Sequence, residues 1–311
     1  MPLHPEIKQM LEQLSASDWK EVSTLTPKQA REQSRYFAGL RVFPKPLPDI
    51  RTTDFYISTK DKQNILLRLY ESIDVTPKTI IVFYHGGGFG VGSVDQYDTV
   101  CRWMASDLNV LVISVGYRLA PEYTFPTQIE DAYAALEWVD KKRNHLKTRN
   151  LVVAGDSAGG YLATMASMLA RDKHGPHIDW QWLIYPWVDN DFSRLSFKNY
   201  GEGFPLSTET IKWYATNYLG KNPQKSTYPF FPMHAANFHD LPKTYIISAE
   251  CDALYDEVVA YAETLVKADN SVHYECIPGV IHGFLNQYSV PVSFNATTQM
   301  FERFKELLHS E

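Results

Sequence analysis

The most constraining feature of this chain is the pentapeptide Gly-Asp-Ser-Ala-Gly at residues 155–159. It lies between a short apolar run at 151–154 and a long helix-like run at 158–171. In this strand–turn–helix setting, the pattern G-x-S-x-G is typical of a sharp turn that presents its serine, here Ser157, to a substrate. Glycines stand on both sides because so tight a turn leaves no room for a Cβ atom. The sequence therefore predicts a nucleophilic serine at the end of a strand.

Strand-like and helix-like segments alternate along most of the 311 residues. Short apolar runs predict eight strands, at 53–58, 65–71, 79–84, 110–115, 151–154, 182–185, 244–249 and 272–277. The first two runs are close enough to form a hairpin, and helix-length segments separate the others. Short apolar runs are typical of parallel strands that helices cover on both faces. The alternation therefore predicts a doubly wound α/β sheet.

Two regions outside this alternation are predicted to be helical additions to the sheet. Residues 1–48 contain two helix-like segments, the second starting at Thr26-Pro27, and then a proline-rich linker. Residues 188–242 separate two strands by far more than a usual crossover, are rich in aromatic residues and include a predicted helix at 207–219. We expect these two regions to form a cap on a core of residues 49–187 and 243–311. The 188–242 region either covers the site as a lid or only packs against the sheet.

Composition and charge argue against several function classes. The net charge is −6 and no basic stripe is visible, so no nucleic-acid partner is expected. The three cysteines are odd in number and lack C-x-x-C spacing, which argues against a disulfide framework or a metal site. The start of the chain does not resemble a signal peptide, and no apolar run approaches the roughly 20 residues that span a bilayer. We therefore expect a cytoplasmic protein without a membrane partner.

A glycine-rich segment, His-Gly-Gly-Gly-Phe at residues 85–89, follows the third predicted strand. Three bare backbone N–H groups in a row can bind the oxyanion that forms when a nucleophile attacks a carbonyl group. A phosphate-binding loop is the alternative. It fails because the spacing does not fit G-x-G-x-x-G and no Lys-Ser/Thr pair follows. Together with the Ser157 turn, this segment predicts an oxyanion hole.

A catalytic serine needs a base, usually a histidine, that a carboxylate holds in place. Asp252 follows the predicted strand 244–249 and His282 follows the strand 272–277, in the order Ser, Asp, His that α/β-hydrolases use. Both lie at the sheet edge where the Ser157 turn lies. Asp256 is the alternative acid, but we favour Asp252 because it comes first after the strand. Asp156, next to the nucleophile, is expected to be structural.

Four motifs in this order resemble the hormone-sensitive-lipase family of bacterial esterases. They are His-Gly-Gly-Gly-Phe at 85–89, Tyr-Arg-Leu-Ala-Pro-Glu at 117–122, Gly-Asp-Ser-Ala-Gly-Gly at 155–160 and His-Gly-Phe at 282–284. The resemblance covers about residues 50–300. It implies an α/β-hydrolase fold, with a mostly parallel eight-stranded sheet, helices on both faces and a helical cap. It also implies ester hydrolysis without a cofactor, with the N–H groups of Gly87, Gly88 and Ala158 as oxyanion donors.

One departure from the family pattern concerns the acid loop. The family commonly carries Asp-Pro-Leu there, whereas this chain reads Asp-Ala-Leu at 252–254, which puts the rigidity of the loop in question. Aromatic side chains are expected to line the substrate pocket, namely Phe89, Phe204, Trp213 and Phe284. An aromatic cap indicates a pocket of limited size and hence short acyl chains.

The expected function is that of a serine carboxylesterase that hydrolyses small-molecule esters with short acyl chains through an acyl-enzyme on Ser157. A deacetylase or an amidase acting on a specific small molecule is the alternative within hydrolases. A lipase is disfavoured because no large apolar surface element is visible. A non-catalytic receptor is the alternative outside enzymes, since plant gibberellin receptors resemble this family but have lost the histidine, which is present here as His282. Family members often form dimers, so a homodimer is a candidate assembly.

Overall fold

One eight-stranded sheet runs through the protein in the computed structural model, which describes residues 3–72, 77–220 and 229–310. Its strands are β1 (Ile50–Ser58), β2 (Asn64–Ser72), β3 (Thr79–Tyr84), β4 (Leu111–Gly116), β5 (Asn150–Asp156), β6 (Trp180–Ile184), β7 (Lys243–Cys251) and β8 (Val272–Ile281). They lie in the order β1-β2-β4-β3-β5-β6-β7-β8. Neighbouring strands are parallel except in the two pairs that include β2. The predicted α/β fold with a mostly parallel sheet is confirmed.

Helices cover both faces of this sheet. Within the described ranges they are α1 (Pro5–Ser15), α2 (Pro27–Gly39), α3 (Asp98–Leu108), α4 (Thr127–Lys142), α5 (Ala158–Asp172), α6 (Leu195–Tyr200), α7 (Thr208–Leu219), α8 (Tyr255–Lys267) and α9 (Pro291–His309). Buried side chains of α3 and α9 share one apolar cluster, while those of α4, α5 and α8 share another. None of these described helices has both the length and the apolar character needed to cross a membrane.

The central strand β3 shows why helices are needed on both sides. All six of its residues are buried. Ile80 and Val82 belong to the cluster with α4 and α5, whereas Ile81 and Phe83 belong to the cluster with α3 and α9. Successive side chains of a strand point to opposite faces, so both faces need a cover. Full burial of such a side chain is worth about 1.5–3 kcal/mol.

The pairing of β7 with β8 positions two loops that matter for the site. The sequence predicts that β8 ends at residue 277, but the strand continues to Ile281. A register shift between Ala249 and Cys251 lets Cys251 pair with Ile281. The next residues along the chain are Asp252 and His282, so this pairing places the two loops side by side.

The N-terminal segment and the 188–242 region contact each other. Helix α7 packs against a short 3₁₀ turn at Val22–Thr24. Ser207 is the N-cap of α7, since its Oγ accepts a hydrogen bond from Thr210 N at 3.0 Å, and its hydroxyl also donates to Glu21 Oε1. The helix predicted at 207–219 is thus present with its cap. The predicted division into core and cap stays a prediction, and residues 1–2, 73–76, 221–228 and 311 of its ranges lie outside the described residues.

Candidate active site

Ser157 occupies the turn between β5 and α5 in a backbone conformation that side chains rarely adopt, with φ 55° and ψ −120°. A Cβ atom on Gly155 would overlap the backbone carbonyl of Gly159, and one on Gly159 would overlap the carbonyl of Tyr84. Such backbone strain costs on the order of 1–3 kcal/mol and persists only where the surroundings fix it. Here the Ser157 N–H donates to the carbonyl of Ile184 at 2.9 Å. The turn therefore holds the serine at the carboxyl end of β5, as the sequence pattern predicts.

Ser157, His282 and Asp252 form one hydrogen-bonded chain. His282 Nε2 lies 2.8 Å from Ser157 Oγ, and His282 Nδ1 lies 2.6 Å from Asp252 Oδ2. An ionised carboxylate only accepts hydrogen bonds, so Nδ1–H donates to Asp252 and leaves Nε2 free to accept from the serine hydroxyl. This is the geometry in which a histidine can remove the proton of a serine.

Hydrogen bonds fix the acid loop that lacks the family's proline. Leu254 N donates to Asp252 Oδ1 at 2.9 Å, and Tyr255 N donates to the Asp252 carbonyl at 3.1 Å. Ser196 Oγ, at the start of α6, donates to the Ala253 carbonyl at 2.6 Å. Ala253 itself is 2% exposed. Two of these bonds lie within the loop and one ties it to the start of α6, so the loop is held without the proline.

The alternative acid, Asp256, contacts Ser196 instead of His282. Its Oδ2 atom accepts a hydrogen bond from the backbone N–H of Ser196 at 2.7 Å. It lies in the first turn of α8, as the sequence predicts for a helix-start residue. Asp252 is the carboxylate that contacts His282.

Of the three predicted oxyanion donors, Gly87 and Gly88 line the same cavity as Ser157, and Ala158 directly follows Ser157. Gly87 and Gly88 have φ values of 113° and 56°, and Ala158 is the first residue of α5. In the described part of the chain, no protein acceptor is recorded for the N–H groups of these three residues. A Cβ atom on Gly88 would overlap the ring of Tyr214, so only glycine fits there. The positive end of the α5 dipole also favours a negative charge at this place.

The glycine segment is fixed from behind by a buried carboxylate. Asp156 Oδ1 accepts a hydrogen bond from Gly86 N at 2.8 Å, and Oδ2 accepts one from the Tyr97 hydroxyl at 2.9 Å. These contacts agree with the structural role that the sequence predicts for Asp156. Burial raises the pKa of Asp156 to about 6, although the hydrogen bonds from Tyr97 and Gly86 oppose the shift. No motif in the sequence pointed to Tyr97.

The histidine of the glycine segment is structural in this arrangement. The ring of His85 stacks on Tyr117 with 4.3 Å between ring centroids, and Nδ1 lies 2.7 Å from the Gly86 carbonyl. Burial lowers the pKa of His85 to about 4, which keeps the ring neutral at pH 7. The 117–122 motif thus supports the loop behind the site through Tyr117.

An inner cavity of about 270 Å³ opens over Ser157 and His282. Part of its wall is the glycine segment 86–88, and another part is apolar, formed by Trp187, Leu206, Ile211, Tyr214 and Leu254. A second, outer cavity of about 760 Å³ lies against α1 and α2. The two cavities share wall residues, namely Val22, Ser34, Arg41, Val91, Pro205, Tyr214 and Gln287. In the described ranges, no group of three or more His, Cys, Asp or Glu side chains is placed to hold a metal ion.

Two of the four aromatic residues predicted for the pocket lie in the core instead. Phe89 has φ 61° and stacks on Tyr218 with 4.0 Å between ring centroids. Phe284 is fully buried against Tyr185. Neither lines the inner cavity. The ring of Phe89 is fully buried, and neither this placement nor the positive φ of the residue is revealed by the sequence alone.

The other two predicted pocket residues belong to the 188–242 region but do not line the inner cavity either. Phe204 contributes to a small gap behind Asp252 and His282, and Trp213 packs edge-on against Tyr214. On α7, Ile211 and Tyr214 face the cavity in place of Trp213. Their i, i+3 spacing puts them on one helix face, and this was the signal that could have identified them.

A mostly parallel sheet with a serine on the β5–α5 turn, in contact with a histidine and an aspartate, defines the class of α/β-hydrolases. The sequence profile of a family described as alpha/beta hydrolase fold matches residues 81–286. Together with the relatives described below, this shows that the chain belongs to the hormone-sensitive-lipase-like family of α/β-hydrolases.

Relatives and solved structures agree with this assignment. Ethyl acetate hydrolase from Pseudomonas putida is 34% identical over 302 residues, which cover 93% of this chain and 94% of the relative. Carboxylesterase NlhH from Mycobacterium tuberculosis is 33% identical over 279 residues, which cover 87% of each chain. The hyperthermophilic esterase from Pyrobaculum calidifontis is 34% identical, with a TM-score of 0.89 and 99% of both chains covered. The protein is a carboxylic ester hydrolase.

Proposed function

We propose that this protein is a serine esterase that cleaves esters of short-chain acids through an acyl-enzyme on Ser157. The observation that carries the proposal is the hydrogen-bonded chain from Ser157 Oγ to His282 and on to Asp252, with distances of 2.8 Å and 2.6 Å. Ser157 and His282 line a cavity of about 270 Å³, which is large enough for a small ester. The N–H groups of Gly87, Gly88 and Ala158 are proposed as the oxyanion hole.

In the first half-reaction, Ser157 Oγ attacks the ester carbonyl carbon while His282 Nε2 accepts the hydroxyl proton. The carbonyl oxygen gains the negative charge, which the oxyanion donors stabilise. The C–O bond to the alcohol then breaks, and His282 returns the proton to the departing alcohol. In the second half-reaction, water attacks the acyl-enzyme with His282 as base, which releases the acid and restores Ser157. Asp252 orients the imidazole and stabilises its protonated form.

The preference for short acyl chains rests on the apolar wall of the inner cavity. Trp187, Leu206 and Ile211 form part of the wall of a cavity of about 270 Å³, which also has to hold the reacting ester group at Ser157. One relative is named for its action on ethyl acetate, an ester of a two-carbon acid.

The predictions of a homodimer and of a cytoplasmic location stay predictions.

The first test compares p-nitrophenyl esters from acetate to dodecanoate with wild-type protein and Ser157→Ala. We expect kcat/KM to peak between acetate and hexanoate, and Ser157→Ala to lose nearly all of the activity. A phosphonate inhibitor should add its mass to wild type at Ser157 but not to the variant. Rates that climb to the longest chain would contradict the short-chain preference. Full activity or labelling in Ser157→Ala would contradict the nucleophile.

The acid assignment has a matched control within the same loop. Asp252→Asn should lower kcat by about 10³–10⁴, because the histidine then loses the partner that fixes its tautomer. Asp256→Asn, four residues away, removes a carboxylate that contacts Ser196 N instead of His282, so kcat should change only a few-fold. The reverse order of effects would assign the acid role to Asp256.

A further inference from the structure

Arg41 stands where the inner and outer cavities join, since it lines both. It is the only lysine or arginine among the described residues that line either cavity. The carboxylates that line them are Glu6 and Asp156, and both accept hydrogen bonds from elsewhere. Glu6 accepts one from Val292 N at 2.7 Å, and Asp156 accepts its two from Gly86 and Tyr97.

Arg41 also differs from every other half-buried arginine in the described part of the chain. Each of the others forms an ion pair with an aspartate or glutamate, namely Arg31, Arg68, Arg102, Arg118, Arg143, Arg171 and Arg194. For Arg41, neither an ion pair nor a side-chain hydrogen bond to a described residue is recorded. A half-buried charge is normally paired, because its partial loss of water is otherwise uncompensated. This unpaired side chain lines the space where a substrate would lie.

The surroundings of Arg41 add further polar groups to the same stretch of wall. Ser34 and Gln287 line both cavities, and Gln96 lines the inner one. Gln96 Nε2 donates to Ser34 Oγ at 2.9 Å, which leaves the Ser34 hydroxyl hydrogen available to an acceptor. A guanidinium that shares a cavity wall with hydroxyl and amide groups matches a carboxylate, whose two oxygens can accept from the planar fork of an arginine.

We propose that Arg41 is a specificity-determining residue that binds a carboxylate carried by the substrate, so that the preferred esters are anionic. This inference rests on the proposed esterase function and names its substrate class. The reacting ester lies at Ser157, and the carboxylate lies on the part of the molecule that extends past Arg41 toward the outer cavity. The carboxylate belongs to either the alcohol part or the acid part of the ester, and Arg41 would bind it in the same way in both cases.

The test uses two pairs of substrates that differ in charge but have similar size. For the alcohol part, 4-acetoxybenzoate is compared with 4-acetoxybenzamide. For the acid part, the p-nitrophenyl monoester of glutaric acid is compared with p-nitrophenyl valerate. The quantity measured is the ratio of kcat/KM for the anionic member to that for the neutral member. A general loss of folding or activity lowers kcat/KM for both members of a pair, so it cancels in this ratio.

We expect Arg41→Met to lower the ratio for one of the two pairs by about 10- to 100-fold, the size typical of hydrogen bonds to charged groups. Arg41→Lys should keep part of the preference, because it retains the charge but loses the fork geometry. Arg35→Met is the matched control. It removes an exposed positive charge from α2 that lines neither cavity, so the ratio should stay as in wild type. Unchanged ratios for both pairs in Arg41→Met would overturn the proposal.

A binding measurement separates this inference from the proposed function. In Ser157→Ala, calorimetry should show tighter binding of the anionic member of the affected pair, and Arg41→Met added to that background should abolish the difference. If folded wild-type protein cleaves no ester, the proposed function fails, while the same calorimetry still decides whether Arg41 selects a carboxylate. Equal affinity for the charged and neutral members in both pairs would overturn the inference even if esters are cleaved.

Discussion

Asp156 combines a structural role with a charge that its position disfavours. It receives hydrogen bonds from Gly86 N and the Tyr97 hydroxyl and so joins the glycine segment to the serine turn. It is also 2% exposed, and burial raises its pKa from the ordinary value of 3.8 to about 6. In the unfolded chain the group regains its ordinary pKa, so its protonation must affect stability.

Asp156 should make the free energy of unfolding rise as the pH falls from about 6 to about 4. In this window the folded protein binds a proton at Asp156 that the unfolded chain does not bind. Above pH 6 the buried charge costs about 3 kcal/mol, at roughly 1.4 kcal/mol per pKa unit. Asp156→Asn should remove this contribution while leaving an oxygen to accept from Gly86 N. Urea unfolding of both proteins at several pH values between 4 and 8 measures the difference.

The comparison of wild type with Asp156→Asn is needed because His85 changes the free energy of unfolding with pH in the opposite direction. Its folded pKa of about 4 lies below the ordinary 6.5, so the unfolded chain takes up a proton there first as the pH falls. Proton uptake by His85 in the unfolded chain lowers stability below about pH 6.5. The effect is the same in both proteins, so it cancels in the difference between their free energies of unfolding. Parallel curves for wild type and Asp156→Asn from pH 4 to 8 would show that Asp156 is not the titrating group.

At the scale of elements, one side chain of α2 ties that helix to two loops beside the site. Arg31 Nε donates to the Gly90 carbonyl at 2.9 Å, and Nη2 donates to the Ala120 carbonyl at 2.6 Å. Nη1 also donates to Glu122 Oε1 at 3.0 Å. Gly90 follows the glycine segment, and α2 forms part of the outer cavity wall. Arg31 therefore links the wall of the cavity to the loop beneath it.

Arg31→Met should destabilise the protein by about 2–3 kcal/mol, because it leaves two carbonyl acceptors without their charged donor. Glu122→Gln is the matched control. It neutralises only the exposed partner and keeps both carbonyl bonds, so the loss should stay below about 1 kcal/mol. Chemical unfolding measures both changes, and limited proteolysis should cut the N-terminal segment faster in Arg31→Met alone. Equal losses in the two variants would show that the ion pair, instead of the carbonyl bonds, fixes α2.

The sequence predicted the elements whose signals are local and missed contacts between distant segments. Thr26 and Ser207 mark helix starts, and each is an N-cap in the structure. The order Ser157, Asp252, His282 along the chain predicted which side chains meet, and they are in contact, although their catalytic roles stay proposals. Which helix face lines the cavity, or which tyrosine reaches Asp156, depends on how loops some 60 residues apart pack, and no local pattern encodes this.

At the scale of the whole molecule, the N-terminal helix α1 packs against the ends of the two strands that precede the candidate acid and base. Ile7 is fully buried and shares an apolar cluster with Cys251 and Ile281. These two residues directly precede Asp252 and His282. The backbone adds a further tie, since His4 N donates to the Gly279 carbonyl of β8 at 3.0 Å. The start of the described chain therefore supports the two strand ends that carry the acid and the base.

Ile7→Ala should lower both the free energy of unfolding and kcat, although the side chain touches no substrate. Removing a fully buried isoleucine typically costs about 2–5 kcal/mol, and the cavity left behind lies against the residues next to Asp252 and His282. Since the 2.6 Å and 2.8 Å hydrogen bonds depend on the placement of those loops, kcat for p-nitrophenyl acetate should fall several-fold under conditions where the variant is folded. Lys8→Ala, exposed on the same helix, should change neither quantity appreciably. A stability loss in Ile7→Ala with wild-type kcat would mean that β7 and β8 hold the acid and the base without help from α1.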